Sequence, residues 1–129
     1  MKPYKRKCAL YHLSEDNLDG VVMKPRVPLS RLDEEDAKHV RVCFSTSISG
    51  ALRAINPSLL KYCPDFYVMC PVDYDKINVF VPSEKEVPDV KDTREKWVRN
   101  KVKVECIGKI RAFYSNALSG GFLRFKWIK

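Results

Sequence analysis

The sequence predicts an α+β domain dominated by a mixed or antiparallel sheet. Three observations carry that expectation. Short runs rich in Val, Phe, Tyr and Thr recur along the chain, turn-prone residues separate them, and only one segment shows helical periodicity. With 129 residues, 45% hydrophobic and 31% charged, the chain suits a single domain over 1–129 with a core of its own.

The elements follow in order. Lys7 to Ser14 is an apolar and aromatic run closed by Glu15, Asp16 and Asn17, which suits a first strand ending in a polar loop. Pro25 and Pro28 then exclude both a helix interior and a central strand, so residues 23–28 read as extended backbone. Asp33 to Asp36 reads as an exposed acidic segment. Residues 39–46 alternate and are β-branched, which argues for a second strand.

From Ser47 or Ser49 the spacing changes. Ile48, Ala51, Leu52 and Ile55 make one apolar helical face, a serine is available as N-cap, and Asn56-Pro57 is expected to stop the helix. Phe66 to Val72 and Ile77 to Val81 read as strands separated by the turn Asp73-Tyr74-Asp75. Pro82 to Arg94 is a charged loop without periodicity, long for an idle connection. Lys96 to Val98 and Val102 to Phe113 supply the last strong strands. The tail from Leu118 to Lys129 alternates apolar and basic residues after a glycine pair, as one more strand or an exposed amphipathic arm.

Composition excludes several classes. No repeat, coiled-coil or low-complexity bias is visible, and no apolar window reaches the roughly 20 residues of a membrane helix. The basic start resembles a signal-peptide n-region, but its apolar stretch runs only from Cys8 to Leu13 and contains His12, so a cytoplasmic protein is expected. Five cysteines without a CxxC fit a reducing compartment and no structural metal. The net charge of +8 is uneven: residues 1–7 hold four basic and no acidic groups, residues 8–93 ten against fourteen, and residues 94–129 ten against two. The excess thus belongs to a basic N-terminal arm, 1–7, and to the C-terminal part with its amphipathic segment 118–129. Such ends suit a nucleic acid, an acidic protein or the phosphates of a nucleotide.

Two features can carry chemistry. His12 is a polar ring on an apolar strand, either a hydrogen-bonded structural histidine or a neutral imidazole facing ligand hydroxyls and amides. The hydroxyl corner Ser45-Thr46-Ser47 precedes the helix, either as a plain N-cap or as a support for neighbouring polar groups. A thiol-dependent hydrolase built on Cys43 with His12 or His39 would need a cysteine beside a base, and no spacing demands one.

In their order, Tyr11-His12, Val42 to Ser47 with Gly50-Ala51-Leu52-Arg53-Ala54, Phe66 to Val72, an acidic loop and Val102 to Gly108 resemble the ADP-ribosyltransferase superfamily. Within it they are most similar to the small rifampicin ADP-ribosyltransferases and the RNA 2′-phosphotransferase type of domain. The resemblance spans about residues 8–113, the core of the domain. It implies an ADP-ribosyltransferase-like split sheet with few short helices and a cleft for NAD, from which ADP-ribose passes to an acceptor the sequence does not name.

By that resemblance His12 bonds the nicotinamide ribose, Tyr11 and Phe44 line the cleft, and Ser45 and Ser47 form its supporting corner. Arg26 is either an ordinary surface arginine or, since a guanidinium fork suits phosphates, their partner. The acid that stabilises positive charge on the ribose is Asp89, Asp92 or Glu95. Leu13-Ser14 stands where the family pattern has Gly-Thr, and Cys43 where it has a stacking tyrosine. The rival expectation is a non-catalytic module of related fold, such as a phage-encoded or other accessory inhibitor, gripping a nucleic-acid-containing or acidic protein partner through its basic ends.

Overall fold

A computed structural model describes residues 2–4, 9–28, 36–115 and 122–129. The basic arm beyond Tyr4, Cys8, Asp33 to Glu35 and the glycine pair 120–121 lie outside the described residues.

The structure is α+β, and the described residues form two antiparallel sheets and three short α-helices. The first sheet runs β1 (Lys2–Pro3), β6 (Val79–Val81), β7 (Glu95–Val98), β4 (Val42–Ser45). The second runs β2 (His12–Ser14), β5 (Asp65–Pro71), β8 (Val102–Ser115). On the far edge of β8, β3 (Val22–Met23) and β9 (Phe122–Ile128) follow one another end to end. The tail therefore forms a strand rather than a free arm. A two-bond bridge between Tyr11 and Ser45 (2.8 Å each way) ties the second sheet to the first at the start of β2.

The first core lies between the sheets: Leu10, Val42, Phe44, Met69, Val98, Val102 and Val104. The second lies on the opposite face of the β5–β8 pair: Phe66, Val68, Ile110 and Ala112 pack with Ile48, Leu52 and Leu60 of the helices. Strand β8 serves both cores with its even-numbered residues, because a bulge opposite Val68/Met69 inserts Ile107 and exchanges the faces midway. Gly108 sits at that bulge with φ +157°, and the Trp127 ring of β9 covers it so closely that a Cβ would lie 2.7 Å from the indole.

Helix α1 (Ile48–Arg53) starts where the periodicity places it, with Ser47 Oγ accepting from Gly50 N at 2.9 Å as N-cap. Asn56-Pro57 does not merely end it. Asn56 caps a second helix, α2 (Pro57–Tyr62), with Pro57 in the first turn, where its missing N–H costs nothing. The loop 82–94 likewise contains a short helix, α3 (Val90–Thr93), ended by Arg94 in the left-handed region at φ 54°. Several strands are shorter than expected: β2 begins at His12 rather than Lys7, β4 at Val42, and β6 at Val79. Asp36 is not an exposed acid, since its carboxylate binds the buried Arg41 guanidinium at 3.2 Å and His39 Nδ1 at 2.9 Å. No helix among the described residues is long and apolar enough to cross a membrane.

Candidate functional site

Register decides which side chains meet. Tyr11 stands opposite Ser45, and Ser45 stands opposite Glu95, so the three form one row across β4, β7 and the entry to β2. The row opens on a cavity of about 410 Å³, within the range of small-molecule sites. Its walls are the β2 start, the extended 23–28 segment, β4, the Ala51, Ala54 and Ile55 side of α1, and Thr93 and Glu95 beyond α3. Small residues at 51 and 54 keep the helix from filling it.

His12 lies on this cavity, half-buried. Its Nδ1 is 2.8 Å from the Cys43 carbonyl, which can only accept, so Nδ1 carries the proton and Nε2 presents a lone pair. Burial lowers the imidazole pKa and the Arg26 charge lowers it further, against the raising effect of the Cys43 hydrogen bond. The ring is accordingly neutral at pH 7. Phe44 meets it edge-on, with centroids 5.9 Å apart, although most of the phenyl is core.

Ser45 and Ser47 act on the corner itself. Buried Ser45 Oγ donates to the Thr93 carbonyl (2.6 Å) and accepts from Ser47 N (3.2 Å), which couples β4 to the end of α3. Ser47 caps α1 and does not reach the cavity. Gly50 is the residue that permits this junction: a Cβ there would overlap the Thr93 carbonyl and lie 2.6 Å from Ser45 Oγ. Thr93 is 1% exposed and lines the cavity, and its Oγ1 has no hydrogen-bond partner among the described residues. A buried hydroxyl in that state is an available donor or acceptor for a ligand.

Of the three expected acids, the register brings only Glu95 to the cavity. Asp89 lies at the start of α3 and Asp92 on its exposed side, neither on the cavity wall. Glu95 is 7% exposed, and its Oε2 accepts from Trp97 Nε1 at 2.7 Å. The indole is itself stacked under the Arg41 guanidinium at 4.1 Å, and Arg41 Nη1 is held by Asp36 and by the His39 carbonyl at 2.9 Å. A chain of contacts thus fixes the carboxylate from behind.

Arg26 also lines the cavity, its backbone bridged to Arg41, with Lys24 two residues away along the same extended run. The sequence reading missed Lys24, Arg41 and Thr93. The period-2 relation of Lys24 to Arg26 was a usable signal, whereas nothing local marks Arg41 as a buried arginine. Cys43 meets His12 through its backbone carbonyl, so the hydrogen bond is not that of a thiol and its base. Among known proteins, no family model, curated protein or solved structure matches this chain.

Proposed function

We propose that the cavity binds the nicotinamide–ribose part of NAD and that the protein transfers ADP-ribose from it to an acceptor. One observation carries this reading: the Tyr11–Ser45 bridge, which brings a neutral imidazole and a rigidly held carboxylate to the walls of one small-molecule-sized cavity.

Each residue has a task in that reading. His12 Nε2 accepts from a ribose hydroxyl, which a protonated ring would be unable to do. Thr93 Oγ1 supplies a further hydrogen bond, and Arg26 with Lys24 faces the phosphates. Nicotinamide leaves with the electron pair of the bond between its nitrogen and the ribose. The acceptor then forms its bond to the same carbon and loses a proton. Glu95, a buried carboxylate on the cavity wall, stabilises the positive charge that develops on the ribose. Ala51, Ala54 and the Phe44 edge give the flat ring an apolar wall in place of the stacking tyrosine that Cys43 replaces.

Calorimetric titration of NAD into the wild type and two variants tests it. Wild type is expected to bind. His12→Ala is expected to lose binding while keeping its far-ultraviolet spectrum, and Glu95→Gln to bind NAD yet release nicotinamide about 10²–10³-fold more slowly. Equal titrations for His12→Ala and wild type, or no heat from either, would refute the proposal.

A further inference from the structure

We infer that the outer face of the β5–β8–β9 sheet is a binding surface for single-stranded nucleic acid, separate from the cavity and independent of its assignment. Strand pairing builds this face in rows. Ser14, Tyr67, Lys109 and Ile128 form one, and Asp65, Arg111 and Lys126 the next. Phe113 beside Arg124 and Ser115 beside Phe122 complete it.

Charge is the first argument. Four cations, Lys109, Arg111, Arg124 and Lys126, share this face, and Asp65 is the only acid in its rows. Asp65 is already engaged in a two-point ion pair with Arg111, at 2.7 and 3.0 Å. The pair compensates Arg111, which leaves Lys109, Arg124 and Lys126 as the cations of these rows with no acid opposite them. This excess positive charge stands on an open surface, where Arg124 and Lys126 are exposed.

The aromatic residues choose the type of anion. Phe113 and Phe122 are 40% and 60% exposed on the same face, at diagonal positions of the β8–β9 pair, roughly 7–8 Å apart. Exposed rings interleaved with cations stack unpaired bases while the cations follow the phosphates. A duplex hides its base faces, and an acidic peptide does not pair a stackable ring with every negative charge as an unpaired strand does. Near the first row, Lys109 Nζ lies 4.9 Å from the Tyr67 ring, which positions this cation at the end of the strip nearest β2.

Fluorescence anisotropy with a labelled oligo-dT 12-mer, in the full chain, tests the surface. Three phosphate contacts, from Lys109, Arg124 and Lys126, give a slope of log K against log salt near −2.1, about an 18-fold loss between 50 and 200 mM. The double variant R124Q/K126Q is expected to reduce that slope to about −0.7 and to weaken binding about 25-fold at 0.1 M salt. F113A/F122A is expected to weaken binding at least fivefold without changing the slope. All four positions are on the surface, and a urea melt of each variant keeps folding apart from binding. Wild-type affinity in R124Q/K126Q would overturn the inference, as would a hairpin duplex or polyglutamate binding as tightly as oligo-dT. NAD titration of the same two variants should match wild type, so the fate of the cavity assignment is read separately.

Discussion

Replacing Gly50 by alanine isolates the junction on which the cavity wall depends. In an ordinary helix interior the change stabilises by about 1 kcal/mol, because glycine is the poorer helix former. Here the new Cβ would overlap the Thr93 carbonyl and approach Ser45 Oγ to 2.6 Å and Ser47 Oγ to 3.0 Å. The first of these is backbone at the end of α3, the second is a hydroxyl held at both ends, and the third caps α1, so none of the three gives way cheaply. Overpacking of this kind costs about 1–3 kcal/mol. Loss of the Ser45–Thr93 hydrogen bond adds about 1 kcal/mol. Set against the helix gain, the net destabilisation is about 1–3 kcal/mol. Urea unfolding reads it as a lower midpoint at unchanged slope, and thermal unfolding as a melting temperature lower by about 3–5 °C per kcal/mol for a domain of this size. A variant as stable as wild type, or more stable, would refute the account of how α1, β4 and α3 meet.

Two further outcomes follow from the same geometry. Because the folded-state pKa of His12 is lowered, the unfolded chain takes up a proton near pH 6.5 that the folded chain takes up only at lower pH. Stability is therefore full above that pH and falls beneath it by up to about 1.4 kcal/mol per pH unit, and His12→Gln should remove this component from urea midpoints measured between pH 7.5 and 5.5. Trp97→Phe deprives the buried Glu95 carboxylate of its 2.7 Å donor and should cost about 2–4 kcal/mol in denaturant unfolding. A loss below about 1 kcal/mol would show that the indole does not hold the carboxylate.

Local chemistry made part of this legible in the sequence. Ser47 before Ile48, Ala51 and Leu52 announced α1 and its cap, alternation announced β4 and β8, and an apolar run between turn-prone residues announced β5. Asn56-Pro57 was ambiguous because the same pair that breaks one helix starts the next. The bulge at Ile107 left no trace in the pattern, since even-numbered residues stay inward on both sides of it while the face they serve changes. The pairing of Lys2–Pro3 with β6 is a contact about 80 residues distant in sequence, which no local signal reports. At the site, His12 stood out as a lone polar ring on an apolar run. Among Asp89, Asp92 and Glu95 only the strand register discriminates, because Glu95 is the one that faces Ser45. Asp36 read as solvated until its partner, Arg41, was seen to be buried beneath it.

The chain has two histidines, so a long-range proton–nitrogen spectrum of His12 and His39 is simple to read, with His12→Gln assigning the peaks. At pH 7.5 the account requires His12 to be neutral with the proton on Nδ1, and its Nε2 resonance to shift when millimolar NAD is added while the His39 signals stay in place. An Nε2-protonated or charged His12, or a spectrum that NAD leaves unmoved, would contradict it.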